Sequence, residues 1–307
     1  MSFFLGIDGG GTKTECVIGD EKCVLGKSVG STIKIKKVGE DAAGRALEGA
    51  IAEVCKSVKI TPREIARTCI GIAGSSIPEV TNWTYSVLKQ LVAGEVQVVN
   101  DALIAHRAAF GDGPGVLVIA GTGSNVLGIN GRGESGRAGG WGPMISDEGS
   151  GFWIGRRAVA YAMHAYDGKQ PTSLLDLIMK AWDLKTIEDL VSRANSNPPP
   201  DFSSLLPAVI QCANGGDELA GEILVSAANE LAQLACIVVR KLWRESASVT
   251  VALTGGVFVH SPQIREKFAE LVRAERSGIT VNLDPVHPVM GALSMARQRT
   301  SVSVTGT

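Results

Sequence analysis

The sequence predicts an α/β protein built from two duplicated units, and three observations support that prediction. Strand-like apolar runs alternate with helical runs along most of the 307 residues. A glycine-rich turn between two apolar runs occurs twice, in GIDGGGTKT from residue 6 and in IAGTGSN from residue 119. A later strand in each half runs into a turn of small residues, at 73–75 and at 254–256. Because both features recur in the same order, the two halves are predicted to be related.

The first half begins with a predicted β-hairpin. Residues 3–7 and 15–19 are its strands, and residues 8–14, DGGGTKT, are its turn. The elements predicted after it are a helix over 41–58, a capping box that starts a helix at 61–64, a strand over 68–73, a helix over 78–92, a strand over 95–99 and a helix over 101–110. A cluster of Gly and Pro at 111–115 favours a domain boundary there. The predicted domains are residues 1–112, completed by a C-terminal helix at 288–299, and residues 113–287.

The second half repeats the hairpin. Laid over the first one, Ile119 falls on Ile7, Gly121 on Gly9, Gly123 on Gly11 and Ser124 on Thr12. A helical insertion is predicted from about residue 150 to residue 243, interrupted by NPPP at 197–200, and a strand follows at 249–253. The tail after residue 298 is rich in Ser, Thr and Val, and we expect it to be frayed.

Composition excludes several classes of protein. With 45% hydrophobic and 20% charged residues, the chain is typical of an ordinary globular protein. A formal net charge of -1 gives no electrostatic reason to expect nucleic acid or an anionic membrane as a partner. No signal segment and no apolar run of membrane-spanning length is recognised. The six cysteines are scattered without a C-x-x-C pair, so reduced buried thiols and a cytoplasmic location are expected.

The two glycine hairpins predict phosphate binding. Three consecutive glycines cost backbone entropy unless something must approach the main chain closely. A Walker A loop is excluded, because Thr12 separates Gly11 from Lys13 and a strand follows instead of a helix. Two such hairpins facing each other across a cleft would offer backbone N–H groups and hydroxyls to a polyphosphate from both sides. A third turn, at 255–256, would lie under the nucleoside.

With these motifs in place, the sequence resembles the superfamily of actin, sugar kinases and heat-shock ATPases. Within it, the chain is similar to the N-acetylglucosamine kinase branch, which is grouped with activator ATPases of the BadF/BadG/BcrA/BcrD type. The motifs that carry the resemblance are GIDGGGTKT at 6–14, ND at 100–101, IAGTGSN at 119–125, GGWGPMISDEGSGFWIG at 139–155 and LTGGVF at 253–258. The resemblance implies two duplicated ribonuclease H-like domains with an interdomain cleft, and the helical insertion in the second.

The resemblance also implies roles for particular positions. Asp101 matches the catalytic base, and Asp8 matches the residue that holds Mg²⁺, usually through water. The implied ATP-binding positions are Gly9, Gly10, Gly11, Thr12 and Lys13, then Gly121, Thr122, Gly123 and Ser124, and finally Gly255 and Gly256. The implied sugar-binding positions are Gly74, Asp101, Gly140, Trp141 and Asp147. A small-molecule sugar is the implied substrate, and a homodimer is expected by analogy with the family.

Each of these residues also has a purely structural interpretation. Asp101 follows an apolar strand and opens a helix, so we expect it to cap that helix as well as to act as a base. Asp8 by itself would be a turn residue, but a hard cation prefers carboxylate oxygen. Asp147 and Glu148 precede a helix and would favour its dipole. Trp141 is either a core residue or a ligand wall, and the four histidines are interpreted as structural or surface residues.

One stretch departs from the family. Where the family usually carries a sugar-binding Asn, this chain has STIKIKKVG at residues 31–39. Alternating Ile and Lys predicts an exposed strand with solvated lysines, in which Lys34 and Lys36 share a face. If that face pointed into the site, the two ammonium groups would attract the carboxylate of an acidic amino sugar such as N-acetylmuramic acid. Lysines facing solvent are the simpler interpretation.

The predicted function is ATP-dependent phosphorylation of an amino sugar, first of all N-acetylglucosamine at its 6-hydroxyl. Glucosamine and N-acetylmuramic acid are the alternative substrates. An activator ATPase is the alternative from another class, but it needs cluster thiolates grouped at a dimer interface, and the cysteines show no such grouping. A sugar-responsive repressor would need a helix-turn-helix ahead of the first strand, where only two residues precede Phe3.

Overall fold

The computed structural model describes residues 2–75, 77–245 and 247–298. The chain divides into two compact units, one running up to Gly113 and resuming at Val286, the other running from Pro114 to Pro285. Each unit holds one mixed sheet with helices packed on it. The molecule is therefore an α/β protein with two mixed sheets.

The first unit contains a five-stranded sheet. Its strands are β1 (Phe3–Gly9), β2 (Lys13–Gly19), β3 (Val24–Ser31), β4 (Ile65–Ile72) and β5 (Glu95–Asn100). Their order is β3-β2-β1-β4-β5, with β1 antiparallel to β2 and β2 to β3, and with β1, β4 and β5 parallel. The carboxyl ends of β1, β4 and β5 consequently meet at one edge of the sheet.

Helices cover both faces of this sheet. They are α1 (Ile35–Val38), α2 (Glu40–Val58), α3 (Pro78–Leu91), α4 (Asp101–Phe110) and, from the end of the chain, α12 (Pro288–Arg297). Leu5 and Ile7 point to the face packed with residues of α2, whereas Phe4 points to the face packed with α4 and α12. Helix α12 lies so close to β1 that a Cβ at Gly6 would overlap the backbone of Leu293. The predicted capping box forms at a short 3₁₀ turn, Pro62–Glu64.

The second unit repeats the strand order of the first. Its strands are β6 (Gly115–Ala120), β7 (Ser124–Ile129), β8 (Ser135–Gly139), β9 (Val249–Thr254) and β10 (Ile279–Val281). Their order is β10-β9-β6-β7-β8, with β6 antiparallel to β7 and β7 to β8, and with β6, β9 and β10 parallel. Counted from its own first strand, each sheet therefore has the same pairing and the same directions.

Most helices of the second unit lie between β8 and β9. These helices are α5 (Gly151–Asp167), α6 (Leu174–Ala181), α7 (Ile187–Ala194), α8 (Leu206–Asn214) and α9 (Glu218–Leu242), and α10 (Gly256–His260) and α11 (Pro262–Glu275) follow β9. Among the described helices, α9 is the one long and apolar enough to span a membrane, although Glu222 and Glu230 interrupt its apolar run. Its apolar side chains, including Leu231 and Val239, are buried in the core of this unit.

Candidate functional site

Three predicted site residues meet at the carboxyl edge of the first sheet. Asp8 lies at the end of β1, Gly74 lies two residues beyond β4, and Asp101 directly follows β5. Their strands are parallel neighbours, so the ends of these strands are brought together although the residues are far apart in sequence. The two carboxylates are close enough that the charge of Asp101 acts on Asp8.

The surroundings of these carboxylates favour their protonated forms. The pKa of Asp8 is raised from 3.8 to about 7: burial is the largest cause, the negative charges of Asp101 and Glu15 add to the rise, and the ammonium of Lys13 opposes it. Burial also raises the pKa of Asp101, against the backbone N–H of Ala102 and the charge of Lys34. A nearby cation would stabilise the ionised forms of both carboxylates, and Asp8 by itself takes up a proton near neutral pH.

Asp101 is not the helix cap that the sequence predicts. The N-cap of α4 is Asn100, whose side-chain oxygen accepts a hydrogen bond from Ala102 N at 2.9 Å. Asp101 is the first helical residue, and its Oδ1 accepts from the same N–H at 2.9 Å. The prediction was one residue off because Asn and Asp cap equally well and stand side by side. Asn100 thus performs the structural task, which leaves the Asp101 carboxylate for other contacts.

The first glycine turn is shorter than predicted. Strand β1 extends to Gly9 and β2 begins at Lys13, with Gly9 paired to Thr14 in the ladder, so Asp8 is a strand residue. Thr12 and Lys13 are exposed, and Lys13 forms an ion pair with Glu15. The prediction ended β1 two residues too early, because aspartate and glycine are poor strand formers, and began β2 two residues too late.

The segment after β3 is not the strand predicted from its alternating pattern. Residues 35–38 form a single helical turn, closed by Gly39 at φ 79° with its N–H donating to Ile35 O. Ile33 is buried, and a Cβ at Gly9 would lie 2.8 Å from its Cδ1. The buried Thr32 joins this segment to the first glycine turn, since its hydroxyl donates to Gly10 O at 2.9 Å. Lys34 and Lys36 therefore do not share a strand face, and Thr32 is a positioning residue that the sequence did not reveal.

The second glycine turn is tied to the start of α5. The carbonyls of Gly121 and Thr122 accept hydrogen bonds from Gly151 N and Phe152 N, at 2.8 and 3.2 Å. Ser124 Oγ donates to Glu148 O at 2.7 Å. The N–H groups of Gly151 and Phe152, at the start of α5, are thus already hydrogen-bonded to the second glycine turn.

Asp147 lies against this second turn. A Cβ at Gly123 would be 2.8 Å from Asp147 Oδ2, so glycine is required for the carboxylate to approach. Asp147 is buried and has φ 63°, an uncommon conformation for a residue other than glycine. Strain of this kind concentrates at functional sites. A predicted sugar-binding residue and a predicted phosphate-loop residue are neighbours in the second unit.

The loop between β8 and α5 presents an exposed tryptophan. Trp141 is 63% exposed, which rules out the core interpretation, and the guanidinium of Arg137 lies 4.0 Å from the centre of its ring. Gly140, at φ 72°, packs on Asn125, where a Cβ would come within 3.0 Å of the side-chain amide carbon. The Oδ1 of Asn125 is buried without a hydrogen-bond partner. Asn125 is a candidate polar group that the predicted set omitted.

The third glycine turn packs on the second. Gly255 has φ 105°, and a Cβ there would overlap the carbonyl of Ala120 and come within 2.9 Å of Gly121 N. Gly256 then starts α10, which ends at His260. His260 borders a cavity of about 370 Å³ with apolar and amide side chains of α8, which include Ile210, Gln211 and Asn214. No sequence motif predicts this cavity, because α8 and α10 are distant along the chain.

The donor set in the first unit suits magnesium. Within residues 2–75, 77–245 and 247–298, no cluster of three or more His, Cys, Asp or Glu could enclose a metal ion. Mg²⁺ does not need such a cluster, because it is commonly held by one or two carboxylates, water and phosphate oxygens. Asp8 and Asp101 provide two carboxylates whose mutual repulsion a cation would relieve. The residues present therefore fit the ion.

Comparison with known proteins gives three further findings. The profile of the BadF/BadG/BcrA/BcrD ATPase family matches residues 5–296. N-acetyl-D-glucosamine kinase from Dictyostelium discoideum is 31% identical over 311 residues, which cover 95% of this chain and 97% of that protein. N-acetylmuramic acid/N-acetylglucosamine kinase from Clostridium acetobutylicum is 30% identical over 303 residues, which cover 97% of this chain and 99% of that protein.

A solved structure shares the fold. The protein from Chromobacterium violaceum, provisionally assigned as an N-acetylglucosamine kinase, superposes with a TM-score of 0.77. The superposition covers 97% of this chain and 99% of that one, at 23% identity. The two-sheet α/β architecture is therefore common to both proteins.

Proposed function

The chain belongs to the BadF/BadG/BcrA/BcrD ATPase family, and from this premise we propose that it is an ATP-dependent kinase of amino sugars. Two relatives that align along nearly the whole chain are named as kinases of N-acetylated amino sugars. We propose N-acetylglucosamine as the acceptor and its 6-hydroxyl as the attacking group. The observation that carries the proposal is the pair of carboxylates, Asp8 and Asp101, at the carboxyl edge of the first sheet.

Each carboxylate has a separate task in the proposed reaction. Asp101 accepts the proton of the sugar hydroxyl, and burial raises the pKa of its carboxylate, which makes it a stronger base than an exposed aspartate. Asp8 would hold Mg²⁺, and Mg²⁺-ATP, when bound, supplies the phosphoryl group. Little covalent chemistry is required of the protein, because phosphoryl transfer depends mostly on positioning and charge stabilisation.

We propose that the glycine turns bind the nucleotide. Gly9 to Lys13 and Gly121 to Ser124 would contact its phosphates with backbone N–H groups, and Gly255 with Gly256 would lie beside the nucleoside. The cavity at His260 is of a size suited to a nucleobase, and its amide side chains supply donors and acceptors. The cleft, the domain limits at residues 112 and 287, the helical insertion, the homodimer and the cytoplasmic location remain predictions.

An assay of ADP formation over a panel of sugars tests this function. Phosphate should be transferred to N-acetylglucosamine in a Mg²⁺-dependent reaction, with glucosamine and N-acetylmuramic acid as the compared acceptors. ADP formed at the same rate without sugar would contradict the kinase and favour an activator ATPase.

The activator ATPase is the weaker candidate because of its thiols. Such a protein needs accessible cysteine thiolates for an iron–sulfur cluster. Five of the six cysteines are buried, and Cys23 is the exposed one. Burial raises the pKa of the buried thiols, for example of Cys16 to about 12, so they stay protonated.

N-acetylmuramic acid is the alternative substrate that one observation favours. Lys34 and Lys36 line a cavity beside the first glycine turn, and their ammonium groups would attract its carboxylate. Both lysines are exposed, so the attraction is about 1 kcal/mol or less and the preference only several-fold. Lys34→Ala/Lys36→Ala should abolish that preference, whereas Lys37→Ala, outside the cavity lining, should keep it. An unchanged ratio of kcat/KM for the two sugars would exclude this role of the lysines.

A further inference from the structure

A cavity of about 300 Å³ lies at the carboxyl ends of β1 and β4 in the first unit. Gly9, Gly11 and Gly74 line it, so two phosphate-loop positions and one sugar-binding position predicted from the sequence border the same space. Its remaining wall is mostly aliphatic and includes Ile33, Ile35, Ile72, Ile77 and Val80. The lining residues come from β1 and the turn after it, from the segment before α1 and α1 itself, from the end of β4 and the residues after it, and from α3.

The described lining offers few hydrogen bonds to a ligand. Thr84 is buried, and its hydroxyl already donates to the carbonyl of Val80 at 2.8 Å. The other side chains that carry polar groups are Lys34 and Lys36, which are exposed at the rim. A sugar ring needs hydrogen-bonding side chains around its hydroxyls, and the described residues of this lining do not supply them. It suits an aliphatic group instead.

The cavity adjoins the carboxylate site. Gly9, in its wall, follows Asp8 in β1, and Gly74, also in its wall, shares the sheet edge with Asp101. Lys34, at its rim, is close enough for its charge to act on the Asp101 carboxylate. A substrate held with one hydroxyl at Asp101 can therefore place a substituent in this cavity.

We propose that this cavity is the subsite for the acyl group on the amino nitrogen of the sugar, and that it accepts aliphatic acyl chains longer than acetyl. The inference rests on the proposed kinase function. In a pyranose, the 2-amino group lies across the ring from the carbon that carries the 6-hydroxymethyl group. When the 6-hydroxyl is at the base, the acyl group must therefore lie in a neighbouring space that is separate from the base. The aliphatic wall would then take up the methylene groups that acetyl lacks.

The chain-length series tests the proposal. Each buried methylene contributes about a fourfold gain in binding, so kcat/KM should rise from N-acetyl- to N-propanoyl- to N-butanoylglucosamine, by about sixteenfold over the two methylenes. An equal or lower kcat/KM for the longer acyl groups would overturn the acyl subsite while leaving the kinase intact. The absence of phosphate transfer to any amino sugar would overturn the proposed function and the subsite together.

A filled cavity provides the second test. Val80→Phe should remove the gain from N-butanoylglucosamine and leave the KM for ATP unchanged, because the larger side chain occupies the space. Val29→Phe makes the same change at a 59% exposed position on β3 and should keep the wild-type preference. If Val80→Phe retained the full preference, the cavity would not be the subsite. If Val80→Phe does not fold, the chain-length series on the wild-type protein is sufficient to test whether longer acyl groups are preferred.

Discussion

The two glycine turns that follow β1 and β6 occupy the same place in two sheets of identical strand order, yet their surroundings differ. The first turn lies next to carboxylates: Asp8 precedes it in β1, and Asp101 acts on Asp8. The second turn is fastened to the start of α5 through two backbone hydrogen bonds and is packed by Asp147 and Gly255. The same strand order thus places carboxylates beside the glycine turn of the first unit, and closely packed backbone segments around the glycine turn of the second.

The strongest test of the second turn is Gly123→Val. The added side chain would collide with the Asp147 carboxylate, which a Cβ alone would approach to 2.8 Å. We expect ATP binding to be abolished while the fold is kept, as measured by calorimetric titration and circular dichroism. Gly131→Val, at a turn where a Cβ would meet no atom within 4 Å, is the control and should bind normally. Normal nucleotide affinity in Gly123→Val would contradict the phosphate-loop role.

The corresponding test of the first unit is Asp101→Asn. Because Asn100 caps α4 and the substitution removes a buried charge, the variant should unfold at the wild-type temperature or above it. It should bind both substrates, but kcat should fall by about 10²–10⁴-fold, the usual contribution of a general base. Steady-state kinetics and binding titrations separate these effects. Near-normal turnover would show that Asp101 is not the base.

A smaller effect is expected where the third turn packs on the second. Gly255→Ala introduces a Cβ that overlaps the carbonyl of Ala120 and forces an alanine into φ 105°. We expect the free energy of unfolding to fall by about 2–4 kcal/mol, from strain plus overpacking. Gly216→Ala, at φ 87° with no atom within 4 Å, isolates the strain and should lose about 1 kcal/mol. The free energies of unfolding are measured by urea denaturation. Equal losses in Gly255→Ala and Gly216→Ala would mean that the close packing on Ala120 does not affect stability.

A further effect on stability concerns Asp8 and pH. Its pKa is about 7 in the folded protein and near 3.8 when exposed, so the folded state binds more protons between pH 4 and 7. The contribution of Asp8 to stability is therefore present at low pH and is lost as pH rises through about 7. Measured in EDTA, the free energy of unfolding should fall less steeply over this range in Asp8→Asn than in the wild type. If the free energy of unfolding depended on pH in the same way in Asp8→Asn and in the wild type, the pKa of Asp8 would not be shifted in the folded protein.

Local signals predicted several elements closely. Helix α4 spans the predicted residues 101–110, because Asn100 caps its start and Gly111 ends it. The capping box at Thr61 and the strand that begins at Val249 were likewise predicted from local sequence. Segment 31–39 was not, since an alternating pattern of Ile and Lys fits one helical turn as well as a strand. Its conformation depends on Ile33 packing near Gly9 and Ile72, contacts between residues far apart in the chain.

The sequence by itself determined the two glycine hairpins, their duplication and the residue types that suit phosphate, magnesium and a sugar hydroxyl. These are local properties, since glycine permits close approach and carboxylate supplies hard oxygen whatever surrounds them. Only the tertiary structure decided that Asp8 and Asp101 act on each other, that Asp147 packs on Gly123, and that an aliphatic cavity adjoins the carboxylates. Parallel strand pairing and packing between distant segments create those contacts, and no short stretch of sequence encodes them.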